Sequence, residues 1–66
     1  MEVIKRERDA ATLRFSEEEL YILNNALNEV CNGLHISEFS TRMGAEREEA
    51  LQVLEQINAL LTNREM

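Results

Sequence analysis

The chain has 66 residues, one cysteine, one histidine and a formal net charge of −6. That length makes one domain with a marginal core. A single cysteine excludes an internal disulfide, and one cysteine with one histidine excludes a Cys/His zinc site within one chain. The charge is unevenly placed. Residues 1–15 carry Lys5, Arg6, Arg8 and Arg14 against Glu2, Glu7 and Asp9, a net of +1; residues 16–66 carry Arg42, Arg47 and Arg64 against ten glutamates, a net of −7. An acidic body repels phosphate and lacks the basic footprint of a nucleic-acid binder. It suits a basic partner, or simply solubility. No apolar run is long enough to span a bilayer, and the charged start, MEVIKRERDAATLRF, has no apolar h-region. A cytoplasmic chain with a reduced cysteine is expected, with neither nucleic acid nor membrane as a partner.

In chain order, residues 1–15 form an arm separate from a helical domain over 16–66. Two short runs, Val3 to Arg6 and Thr12 to Phe15, have strand character, and Leu13 and Phe15 alternate as a half-buried strand does. Arg8, Asp9 and Ala10 would connect them, without the Asn-Gly or Asp-Gly pair that marks a tight turn. A β-hairpin and a single extended arm both fit.

The first helix is the best-marked element. SEEELYILNNALNEVCNG runs from Ser16 to Gly33. Ser16 is placed to cap the first turn and Glu19 to complete a capping box. Glu17, Glu18 and Glu19 stand at the positive end of the helix dipole, and Gly33 is expected to end the helix in the left-handed conformation. At about 100° per residue, Leu20, Leu23, Ala26, Leu27, Val30 and Cys31 share one side, with Ile22 on its edge. An arc that wide predicts packing against two neighbours. Tyr21, Asn24, Asn25, Asn28 and Asn32 fill most of the other face. Asparagine is a poor helix former, so this face reads either as ordinary solvated surface or as a hydrogen-bonding interface centred on Tyr21.

After Gly33 and a short link, Ser37 is expected to cap a brief helix over residues 37–43, with Phe39 and Met43 one turn apart and Gly44 as its end. A last helix, about 46–62, has Ala50, Val53, Leu54, Ile57, Leu60 and Leu61 on its apolar face, with Leu51 well to one side. The expected shared core is Leu23, Leu27, Val30, Phe39, Met43, Val53, Leu54 and Ile57.

The stretch ISEFSTRMGAEREEALQVLEQI, residues 36–57, resembles a helix-turn-helix unit: a short helix, a turn glycine and a longer amphipathic helix. Phe39, Met43, Ala45, Ala50 and Val53 stand at the spacing such units use for their core. The resemblance implies a second helix entering the major groove. Its exposed positions here are Glu46, Arg47, Glu48, Leu51, Gln52 and Glu55. Arg47 and Gln52 would be the base readers, and three carboxylates would face phosphate.

No catalytic constellation stands out. A nucleophile needs a base and an orienting group, and His35 has only Cys31, Ser37 and Ser40 nearby in sequence. Cys31 lies on the apolar face and reads as a small hydrophobe. His35 reads as an exposed link residue. Glu46, Glu48 and Glu49 are accounted for by the start of a helix, and both glycines read as helix ends. No catalytic, cofactor or metal site is assigned.

The expectation is a mainly α, helix-turn-helix-like domain of three helices with an extended or β-hairpin N-terminal arm. Its expected function is a small acidic, non-enzymatic protein–protein interaction module that self-associates as a homodimer, with a basic protein as a possible further partner. A helix-turn-helix DNA-binding regulator and an acidic inhibitor or immunity-type protein are the alternatives. Candidate interface residues are Phe15, Tyr21, Asn24, Asn25, Asn28 and Leu51.

Overall fold

The structure is a computed structural model that describes residues 1–62; residues 63–66, the end of the expected helical domain, lie outside the described part. Two strands, β1 (Glu2–Arg6) and β2 (Ala11–Arg14), precede three helices, α1 (Glu17–Asn28), α2 (Phe39–Met43) and α3 (Arg47–Thr62). The arm is therefore a hairpin. Its strands pair antiparallel with Glu2 opposite Arg14, Val3 opposite Leu13, Lys5 opposite Thr12 and Arg6 opposite Ala11. The register breaks between Val3 and Lys5, so Ile4 forms a bulge. The Glu7 N–H donates to the Ala10 carbonyl at 2.8 Å and closes the turn. The second strand starts one residue earlier than its alternation suggests and releases Phe15 to the junction with α1.

The start of α1 follows its sequence signals. The Ser16 hydroxyl accepts from the Glu19 N–H at 3.1 Å, and the Ser16 N–H donates to Glu19 Oε1 at 2.9 Å, completing the capping box. The end does not. Glu29–Gly33 form a π-helical turn, closed by the Leu34 N–H donating to the Glu29 carbonyl at 2.8 Å. Gly33 is not left-handed; the wider turn returns the chain without needing a positive φ. The expected Ser37 cap is also corrected. Glu38, at φ 55° and ψ 46°, stands before α2 with no side-chain cap, and its carbonyl accepts from the Arg42 N–H at 3.1 Å. A left-handed residue turns the chain into α2 more sharply than an extended serine cap does. Gly44, at φ 72°, ends α2 as expected. At the start of α3 the Glu46 N–H donates to Glu49 Oε1 at 2.9 Å, half a capping box.

Cys31, Ala50 and Leu54 form the buried cluster, with Leu27, Phe39 and Leu51 packed against it; Leu61 is also buried. Leu23, Val30 and Ile57 are half-buried. Cys31, at the end of the first helix, meets residues at the start of α3, so α1 and α3 run antiparallel. Phe39 reaches the cluster from α2, on the flank of α3 that carries Leu51 and Arg47. Leu51, expected off the stripe, is thus a core contact. Met43 and Val53, expected in the core, are exposed, and so is Leu60. With only five residues, α2 covers one flank of the helix pair and leaves the other open.

The radius of gyration is 13.3 Å, against about 11 Å for a compact domain of this length. The extents of 35 × 32 × 16 Å describe a flat molecule, and every residue of both strands is exposed.

Leu54→Ala is expected to destabilise the fold by about 2–4 kcal/mol in urea denaturation, the usual cost of emptying a core site. Glu38→Gly is expected to stabilise it by about 1 kcal/mol by removing the left-handed strain of a residue with a Cβ, visible as a higher urea midpoint.

Candidate interaction surface

The hairpin joins the helices at one root. The Met1 amino group pairs with Glu19 Oε2, while the other oxygen of the same carboxylate serves the capping box. Glu19 therefore ties the start of β1 to the start of α1. The hydrogen bond from the amino group, first, and the Ser16 N–H, second, hold its carboxyl below its ordinary value, against a smaller opposing effect of desolvation. An open cleft of about 450 Å³ lies here, lined by Met1, Glu2, Arg14, Phe15, Ser16 and Glu19. Phe15 is half-buried in it, so it is root packing more than free interface. The Glu2–Arg14 pair, 3.9 Å apart and exposed, adds little.

The asparagine face is only partly as expected. Tyr21, Asn25, Asn28 and Asn32 are exposed. The Asn32 amide donates to Asn28 Oδ1 at 3.1 Å, one turn apart. Asn24 departs from the set: it is half-buried, and its Oδ1 is shielded from solvent with no hydrogen-bond donor. At 100° per residue it lies between Cys31 and Asn28, on the shoulder of the apolar arc, and the bundle closes over it.

A third feature carries no signal in the sequence. Arg47 is half-buried, its guanidinium 4.5 Å from the centre of the Phe39 ring, and its Nη1 donates to the Cys31 carbonyl. It caps the end of the first helix, where a cation and a hydrogen-bond donor are both favourable. The expected DNA reader is thus engaged inside the fold, while Gln52 remains exposed. Cys31 is buried and unpaired, and His35 is exposed on the link.

The surface is rich in uncovered apolar side chains. Val3 is 60% exposed, Ile4 57%, Ile22 66%, Val53 47% and Leu60 60%. Val3 and Leu13 lie opposite each other in the ladder and share one hairpin face. On α3, Val53 and Leu60 lie on the flank away from Leu51 and Arg47. On α1, Ile22 and Ala26 lie on the flank away from Cys31. Because the two helices are antiparallel, these flanks open on the same side. The signal for this was the width of the first helix's apolar arc, which demands a second neighbour that α2 is too short to supply.

Among the described residues, no group of three or more His, Cys, Asp or Glu side chains could hold a metal ion, and no helix is long and apolar enough to cross a membrane. Set against family models, curated proteins and solved structures, the chain matches none of them.

The depressed Glu19 carboxyl sets an acid limit. Its contribution to stability is fully present above the ordinary carboxylate value and is lost as pH falls through its lowered folded value. The urea midpoint is expected to drop over that acidic window, with the Glu19→Gln chain showing a smaller drop in a parallel titration.

Proposed function

We propose that this chain is a small, acidic, non-enzymatic protein–protein interaction module that self-associates, with a homodimer as its working form. The observation that carries this reading is surface area. The chain exposes 5579 Å², whereas a folded monomer of 7.7 kDa exposes about 4,300 Å². The excess, roughly 1,200 Å², is more than the ~800 Å² each partner contributes to a standard interface. Much of the uncovered side-chain surface is large and apolar, as in the contact faces of obligate oligomers. A free, buried Cys31 suits a reducing compartment such as the cytoplasm.

A basic protein partner is the second reading, favoured by Tyr21, Asn25 and Asn28, an exposed polar and aromatic patch on an acidic body. DNA readout is less favoured, because Arg47 is committed to Cys31 and Phe39.

Sedimentation velocity and equilibrium at micromolar concentration test the main reading. The expected result is a dimer that dissociates on dilution, with unfolding that shifts to higher temperature as concentration rises. A monomer of unchanged stability across that range would sink it. Turnover in a broad substrate screen, abolished by His35→Ala, would overturn the non-enzymatic assignment.

A further inference from the structure

Resting on the self-association proposed above, we infer that the hairpin of one copy lies on the open α1/α3 flank of a second copy, and the second copy's hairpin on the first. Three observations select this arrangement over others that would cover the same surface.

Charge is the first. The hairpin carries a net charge of +1, with Lys5, Arg6 and Arg8 beside Glu7 and Asp9 on its outer half, and the helical body is strongly acidic. Stacking two open flanks directly would bring two acidic bodies together; laying each hairpin on the other body pairs opposite signs, the arrangement that complementary interfaces adopt.

Register is the second. Along α3 the open flank runs Glu49, Val53, Leu60, and this stretch is about 17 Å long at 1.5 Å per residue. The four steps of β1, Glu2 to Arg6, span about 13 Å, so the strand fits within that stretch. With the Val3–Leu13 face over Val53 and Leu60, Arg6, placed on that same face by its partner Ala11, comes toward Glu49 on α3 and Glu29, which borders the same flank at the end of α1, while Lys5, opposite Thr12, is on the other face.

The third is the state of the strand edges. Edge-to-edge pairing with a twin hairpin would need straight, unguarded edges. The bulge at Ile4 interrupts β1, β2 has only four residues, and the strands themselves carry Lys5, Arg6 and Arg14. These are the devices that discourage edge pairing. The hairpin's apolar face is left as its means of contact. A reciprocal exchange also satisfies two-fold symmetry, in which arm meets flank twice.

The test uses Leu13→Glu, which spoils the hairpin face, and Leu60→Glu, which spoils the flank, each checked for native helicity by circular dichroism. Each chain alone is expected to self-associate at least about tenfold more weakly than the original. An equimolar mixture is expected to regain a heterodimer, because one intact hairpin still meets one intact flank. Isotope-filtered NMR on an equimolar mixture of labelled and unlabelled original chain is expected to show contacts from Val3 and Leu13 methyls to Val53 and Leu60 of the other copy. If Leu13→Glu dimerises like the original, the reciprocal exchange is overturned while the self-association reading stands. The exchange is equally overturned if the intermolecular contacts join only helix to helix or strand to strand, or if the folded variants do not rescue each other. A monomeric original chain defeats both.

Discussion

The helical part of the fold turns on the guanidinium of Arg47. A helix that ends inside a protein leaves carbonyl groups that need donors. The π-helical turn at Glu29–Gly33 uses one of them for its own closure and presents the Cys31 carbonyl to the start of α3, where Arg47 meets it. The same guanidinium lies over the Phe39 ring. One side chain therefore joins the end of the first helix, the start of α2 and the first turn of α3. Lysine offers neither the planar stacking surface nor a fixed fork of donors. With that corner set, Ala50 and Leu54 meet Cys31 one and two turns further along α3.

What the corner organises is small. Burying a large apolar side chain is worth about 1.5–3 kcal/mol, and ordering each residue's backbone costs about 1–2 kcal/mol. Among the described residues few large side chains are deeply buried; two of the four buried apolar residues are cysteine and alanine. The balance for an isolated chain is thin. A second copy adds apolar burial without adding ordered backbone, which is why stability and association are expected to rise together.

The parts of the fold legible in the sequence were those written in local chemistry. Ser16 with Glu19, Gly44 after α2, and the helical spacing from Leu20 to Val30 and from Ala50 to Leu61 each state their conformation within a few residues. The hairpin was legible as two runs without its register, because the bulge at Ile4 carries no composition signal. The departures at Gly33 and Ser37 share a cause. Both residues suit a cap, but the turn actually used depends on where the next helix must go, and that is tertiary information. Periodicity places Met43, Val53 and Leu60 inside, because it finds an apolar face but not how much of it a five-residue helix can cover. Leu51 and Asn24 depart in the opposite direction: each lies on the shoulder of its stripe, and α2 and the bundle close over those shoulders.

Charge and shape converge on the same feature. A hairpin of net charge +1 with an apolar face, on an acidic body, would gain most, within one chain, by folding back onto its own helices. Here the two-residue junction of Phe15 and Ser16, fixed by the capping box and by Glu19, directs it away, and every strand residue stays exposed. The interactions that hold the root also withhold the hairpin from its own flank. In the proposed exchange, its apolar face and its cations would be satisfied by a complementary surface on a second copy. The electrostatic part of such a contact would be solvent-accessible and weaken with salt, while contact between the Val3–Leu13 and Val53–Leu60 faces would not depend on charge. Added salt should therefore loosen the pair without abolishing it, setting it apart from a contact made of ion pairs alone.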